Sequence, residues 1–196
     1  MDNYLEIKWI GRAGQGVVTA ATVLAEVLAR AGKYVQAFPH FDAQIQPHCL
    51  KAYNRLSTKP IKNHSTIKNA DIVALMDPAF ILNSQIGKNT SQEAIYIINT
   101  SYSPQWVKEK FSVPFRSIYT IDANLIALEE IGAPIPNIPM MAVLIQCIDW
   151  IKFEDFREKL EQSLFARWAD YPERVLANLN TLQRALLEVK ELKTDS

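Results

Sequence analysis

Cysteine is scarce in this chain of 196 residues: Cys49 and Cys147 lie far apart and form no C-x-x-C pair. Two such residues cannot hold an iron–sulfur cluster or a structural zinc unaided, and their scarcity fits a reducing, cytoplasmic setting. An excess of charge is missing as well, with 21 basic residues against 21 acidic ones. No global field therefore recruits nucleic acid or a membrane surface. The only basic clusters are short and mixed, such as "KPIKNH". Long hydrophobic runs are absent too. The longest, "IPMMAVLIQCI", is too short for a bilayer and reads as a buried helix. The opening "MDNYLE" lacks the basic and apolar regions of a secretory signal. Repeats and low-complexity tracts are not found. Glycine is rare, yet three of the six glycines fall within residues 11–16, "GRAGQG". That concentration is the first positive signal.

What remains has the composition of an ordinary globular chain, long enough to bury a full core, and is most economically one domain over 1–196. Residues 4–10, "YLEIKWI", alternate as a strand with Leu5, Ile7 and Trp9 on one face. Over 15–31, Val17, Ala21, Leu24, Ala25 and Leu28 recur at helical spacing, and Gly32 supplies a C-cap. "YVQAF" over 34–38 is a second strand, ended by Pro39, which completes a βαβ unit with an expected right-handed crossover. Further strands are expected over 49–57, 70–78, 93–101 and 117–123, the last three ending in polar residues. After Gly132 a proline-rich connector leads to a helix over 140–150, followed by helices near 153–165 and 173–192. The expected fold is α/β: an open, mostly parallel, Rossmann-like sheet flanked by helices over about 1–135. A helical C-terminal extension, about 136–193, is expected to pack on one edge of that sheet.

A helix amino terminus presents unpaired N–H groups and partial positive charge, so an anion can sit there. Gly11, Gly14 and Gly16 let the backbone turn tightly and approach such a ligand. Their spacing is G-x-x-G-x-G, which matches the dinucleotide fingerprint G-x-G-x-x-G only loosely. No Lys-Ser or Lys-Thr follows, which excludes a P-loop. The second strand lacks the acidic residue that a nicotinamide ribose needs, and Asp42 comes a few residues late. Two readings stay open: glycines that let strand and helix pack closely, or a loop that binds a ligand or shapes a subunit interface.

Other residues carry weaker signals. Asp77, Asn99 and Asp122 end successive strands, where they line a ligand crevice, cap the following helices, or do both. His40, Asp42, His48 and Cys49 lie close in sequence but define no tetrahedral set, and a polar surface loop accounts for them. His64 reads as solvated and Cys147 as a buried small hydrophobe. Trp106, Trp150, Trp168 and Tyr171 mark either contact surfaces or half-exposed core.

The stretch "IKWIGRAGQGVVTAATVLAEVLARAGKYVQAFPHF" resembles the start of the gamma subunit, or gamma domain, of pyruvate:ferredoxin and related 2-oxoacid:ferredoxin oxidoreductases. Gly11, Arg12, Gly14, Gln15, Gly16 and Val17 match the family's loop, with Ala13 in place of one glycine. Gly32-Lys33 and Phe38-Pro39 match its second half. "DIVALMDP", "IINTS" and "GAPIPNIPMMAVL" also correspond, with Asp77, Asn99, Pro136 and Asn137 in matching places, and "ERVLANLNTLQRAL" resembles the closing helix. The likeness covers nearly the whole chain. It implies a multi-subunit enzyme that interconverts a 2-oxoacid (pyruvate above all) and coenzyme A with an acyl-coenzyme A, carbon dioxide and reduced ferredoxin. Thiamine diphosphate with Mg2+ and the 4Fe–4S clusters belong, on this resemblance, to alpha, beta and delta partner subunits. This chain is implied to be structural and coenzyme A-associated, with no catalytic or metal-binding residue and no activity alone. Gly11, Arg12, Gly14, Gln15 and Gly16 are then an anion, coenzyme A or interface loop, and Asp77, Asn99 and Asn137 crevice or capping residues.

One departure is clear. The family's G-P-E-R-R-G-A-P segment is replaced here by "DAQIQPHC", so the charge it carries is lost. Two alternatives to the leading reading follow from the residues: a free-standing oxidoreductase binding NAD or FAD, and a divergent structural or regulatory adaptor.

Overall fold

β-Branched and aromatic residues are concentrated in five segments that become strands, while a sixth, "CLKAYNRLS", becomes a strand with Tyr53 as its only residue of either kind. The structure, a computed structural model, describes residues 4–40 and 49–193. In chain order the elements are β1 (Leu5–Arg12), α1 (Val17–Arg30), β2 (Tyr34–His40), β3 (Cys49–Ser57), β4 (Ala70–Leu75) and β5 (Thr90–Asn99). They continue with α2 (Pro104–Lys110), β6 (Ser117–Ile121), α3 (Ala123–Ile131), α4 (Asn137–Gln146), α5 (Phe153–Arg167), α6 (Pro172–Glu188) and β7 (Lys190–Lys193). Two short 3-10 turns, Pro78–Leu82 and Ser84–Gly87, connect β4 to β5.

The strands form one mixed sheet in the order β2-β3-β1-β4-β5-β6-β7. β1, β4, β5 and β6 are parallel neighbours, while β3 runs against both β1 and β2, and β7 runs against β6. The expected α/β sheet is therefore present and mostly parallel. Three details differ from the sequence reading. β1 and β2 point the same way, but β3 is inserted between them, so the first βαβ unit spans a gap. Pro39 does not end β2; it sits inside that strand, pairs with Ala52, and is tolerated because β2 is an edge. The last helix stops at Glu188, and "KELK" forms β7.

The two faces of the sheet are covered unequally. One carries the larger core, where Ile7, Trp9, Ile72 and Ile97 meet apolar residues of α1, α3, α4, α5 and α6. The C-terminal helices thus cover a face, not an edge as expected, because Phe156, Leu160 and Leu179 are directed at the same core as α1. On the other face Ile10, Val73, Tyr96 and Ile118 are covered by α2 and the two short turns. Fully buried strands on both faces explain the near-continuous apolar runs of β4 and β5.

Several polar groups in this interior tie elements together, while Thr120 Oγ1, Asn124 Oδ1 and Ser163 Oγ are buried with no hydrogen-bond partner among the described residues. Trp9 Nε1 donates to Asn54 Oδ1 at 2.8 Å, and Asn54 Nδ2 donates to the Ala21 carbonyl at 2.9 Å, which ties β1, β3 and α1 together. On the opposite face the Lys8 ammonium donates to the carbonyls of Ile86 and Lys88, each at 2.7 Å, and to Thr90 Oγ1 at 3.2 Å. Burial, assisted by the nearby Lys51 charge, pushes the Lys8 pKa down to about 7.

Candidate functional site

The glycine loop is shorter than the sequence suggests. β1 continues through Gly11 and Arg12, which pair with Leu50 and Cys49, so only residues 13–16 form the turn into α1. Gln15 closes that turn: its backbone N–H donates to the Arg12 carbonyl at 3.2 Å, and its Oε1 accepts from the Arg12 N–H at 2.7 Å. A Cβ on residue 11 would lie 2.8 Å from Gln15 Oε1 and 2.8 Å from Val17 Cγ2, so the folded-back amide requires glycine there. Gly16 has φ 79°, and its missing Cβ leaves room for Asn137, whose Nδ2 would be 2.8 Å away. Gly14, at φ 89°, faces open space. Close packing therefore accounts for two of the three glycines.

Arg12 and Asp77 meet beside this turn. Arg12 Nε lies 2.7 Å from Asp77 Oδ2, and the guanidinium stands over the Phe80 ring at 5.6 Å. Asp77 Oδ1 accepts from the Ala79 N–H at 2.8 Å and so caps the turn over Pro78–Leu82. Gln15 Nε2 is 3.4 Å from Asp77 Oδ2. Asp77 thus joins the ends of β1 and β4 while acting as a cap. Asn99 behaves differently. It is buried, donates to the Met76 carbonyl at 2.7 Å and accepts from the Asn124 N–H at 3.2 Å, stapling β4 to the start of α3. The helix after its own strand is capped by Ser103, whose Oγ accepts from Trp106 N–H. Asp122 caps α3 through the Leu125 N–H at 3.1 Å.

A cleft of about 910 Å³ opens next to the loop, between the start of α1, the α3–α4 connector, the end of α5 and α6. Arg12, Gly14, Gly16 and Asn137 all line it, whereas Gln15, Asp77 and Asn99 are not part of that lining. Its walls are largely apolar and include Val18, Ile135 and Trp168. α1 and α4 start at this cleft without a side-chain cap, on Gly16 and Pro136 respectively. The first N–H groups of α1 accordingly lack the usual Ser, Thr or Asp partner, whereas at α4 the Ile138 N–H is taken by Asn137 Oδ1 at 2.9 Å and Pro139 has no N–H.

The charged groups of the cleft differ in how they are engaged. Arg167 Nη2 is paired with Glu26 at 2.6 Å, and Glu26 also receives Arg30 at 3.1 Å. Glu130 is held by Arg184 at 3.2 Å. Arg174 lies over the Tyr171 ring at 4.7 Å. Arg12 is engaged through Nε, and among the described residues its Nη1 and Nη2 make no bond. This arrangement can hold an anion at a forked guanidinium beside the uncapped start of α1, with an apolar wall for the remainder of a ligand.

The remaining sequence candidates do not converge here. His64 Nδ1 faces Gln36 Nε2 at 3.2 Å on the surface. Cys147 is half-buried beside Tyr119, and burial pushes its thiol up to about 12. Trp150 and Trp168 are partly buried against the larger core, and Trp106 stacks on Tyr102 with ring centres 3.9 Å apart. Asp42, His48 and the departure at 44–47 lie outside the described residues, as does the side chain of His40. Among the described residues no group of three or more His, Cys, Asp or Glu is placed to hold a metal, and no helix is long and apolar enough to cross a membrane. Arg167 and Arg174 are among the cleft residues that sequence reasoning missed. Neither carries a chemical signal of its own in the sequence, and only the packing of α5 against α1 and of α6 against α5 brings them in.

Comparison with known proteins agrees with this architecture. A family model, pyruvate ferredoxin/flavodoxin oxidoreductase, matches residues 6–188. Pyruvate synthase subunit PorC of Thermotoga maritima is 36% identical over 188 residues, covering 95% of this chain and 95% of that protein. The pyruvate/ketoisovalerate oxidoreductases common subunit gamma of Pyrococcus furiosus is 34% identical over 159 residues, 81% of this chain and 86% of that protein. The crystal structure of pyruvate oxidoreductase subunit PORC from Thermotoga maritima superposes with a TM-score of 0.79 at 34% identity, covering 97% of this chain and 99% of that one. These names bear out the expected likeness to a gamma-type subunit.

Proposed function

The chain belongs to the pyruvate ferredoxin/flavodoxin oxidoreductase family, and on that premise we propose that it serves as the gamma subunit of a cytoplasmic 2-oxoacid:ferredoxin oxidoreductase. In this reading alpha, beta and delta-type partners hold thiamine diphosphate, Mg2+ and the 4Fe–4S clusters, and ferredoxin takes the electrons. Those groups supply the decarboxylation and the electron transfer. This chain contributes architecture and the cleft beside its glycine turn, which takes an anionic part of coenzyme A.

The observation that carries the assignment of the cleft is Arg12. Its terminal guanidinium nitrogens are unengaged among the described residues, on a residue that lines the cleft next to the uncapped start of α1. A phosphate can accept both nitrogens at once, and helix N–H groups favour the same charge. The apolar wall suits the uncharged arm of such a ligand.

The test uses the assembled complex. Arg12→Ala should raise KM for coenzyme A about tenfold, as expected for loss of a charge-assisted contact, and leave KM for the 2-oxoacid unchanged. Close packing at Gly11 and Gly16 favours a second reading, in which the loop is purely structural. An unchanged KM for coenzyme A in the Arg12→Ala complex would decide for that adaptor role.

A further inference from the structure

We infer that Asp77 is a positioning residue: it holds Arg12, which lines the cleft, by Nε and so keeps the two terminal guanidinium nitrogens together for an anion bound there. The inference rests on the reading of that cleft as an anion site.

The geometry has three parts. Asp77 Oδ2 takes Arg12 Nε at 2.7 Å, the one guanidinium nitrogen that lies at the base of the fork. Phe80 lies under the guanidinium at 5.6 Å and restricts rotation about the last side-chain bond. Asp77 itself is fixed, since its other oxygen accepts from the Ala79 N–H at 2.8 Å and its side chain is only 11% exposed. Arg12, by contrast, is 51% exposed, so without Asp77 its long side chain would sample many rotamers.

The pair is neutral as a whole, so Asp77 adds nothing to the attraction of an anion from afar. Its effect is to set direction: a guanidinium held at its base presents both remaining nitrogens in one plane, the geometry that recognises a phosphate. A lysine at position 12 could not be held in this way, because an ammonium has no second set of donors behind it.

Capping and positioning can be separated. Asp77→Ser keeps a side-chain oxygen for the Ala79 N–H but removes the partner of Arg12 Nε. The experiment compares four assembled complexes: unaltered, Asp77→Ser, Arg12→Ala, and both together. Asp77→Ser should raise KM for coenzyme A about three- to tenfold, the scale of one ordinary hydrogen bond and no more than the loss of Arg12 itself. It should leave kcat and KM for the 2-oxoacid unchanged. In the Arg12→Ala background the same substitution should change nothing further, because its effect passes through Arg12. An effect of Asp77→Ser that persists in the Arg12→Ala background would overturn the inference, and so would no effect in the native background while Arg12→Ala alone raises the KM. If Arg12→Ala itself leaves KM for coenzyme A unchanged, the reading of the cleft fails, and the inference fails with it.

Discussion

Two arginines stand near opposite ends of β1, each against a carboxylate at 2.7 Å, and they do different work. Arg55, on β3 across from the start of β1, is buried with all three nitrogens engaged. Nε meets Glu6, Nη1 the Asn63 carbonyl at 2.9 Å, and Nη2 the Ser65 carbonyl at 2.9 Å. Arg12, at the far end, is half-exposed and engaged at Nε alone among the described residues. The first holds the chain over 58–66 against the sheet, and the second has donors left for something outside the chain. Identical chemistry at the carboxylate therefore says little; what decides the role is where the other nitrogens go.

The largest expected effect lies at the buried end. Arg55→Ala removes one partner of a buried ion pair and strands two carbonyls, which should cost about 3–5 kcal/mol of stability by denaturant unfolding. Arg12→Ala should change stability by less than about 1 kcal/mol in the same assay, as for an exposed pair. Equal losses would erase the contrast between the two residues.

The seat of Arg12 comes next. Gly16→Ala combines a left-handed backbone with a collision against Asn137, and should cost about 1–3 kcal/mol. Gly14→Ala meets no neighbour within 4 Å, so it should lose less, through backbone strain alone. Unfolding of the two variants side by side would sharpen the point, since a larger loss at Gly14 would mean that the turn, not Asn137, sets the requirement.

Lys8, on β1 like Arg12, is a third cation, and it introduces pH. Its folded pKa of about 7 lies below the ordinary value of 10.5, so the unfolded chain binds more protons between those limits. Stability from this group therefore rises as pH increases from about 7 toward 10.5. Subtracting the melting curve of Lys8→Met from that of the unaltered protein should leave this rise. A flat difference would show that the three oxygens around Nζ compensate for burial.

The parallel strands were legible because each is a short apolar run with a polar residue at its end, a pattern that burial on both faces imposes. The insertion of β3 was not legible, because antiparallel pairing with β1 and β2 is a tertiary choice that leaves no local trace. "KELK" carries no strand propensity; it becomes β7 only through pairing with β6 and a contact between Tyr119 and Glu191. At the site, Arg12, Gly14, Gly16 and Asn137 could be named in advance and do line one cleft. Asp77 and Asn99 do not line it, and strand-end position alone could not distinguish lining from support. Arg174 was invisible for a related reason: a helix face cannot be assigned to a cleft until its neighbours are known.

β7 and Pro39 have a consequence for how such a chain can associate. A bare edge strand invites a second molecule to continue the sheet. Here one rim carries a proline within its strand, and the other ends in four residues that include Lys190 and Lys193. Lateral polymerisation is discouraged at both borders, so partners must be met through side chains. Recognition of that kind leaves a protein free to join one assembly and no fibre.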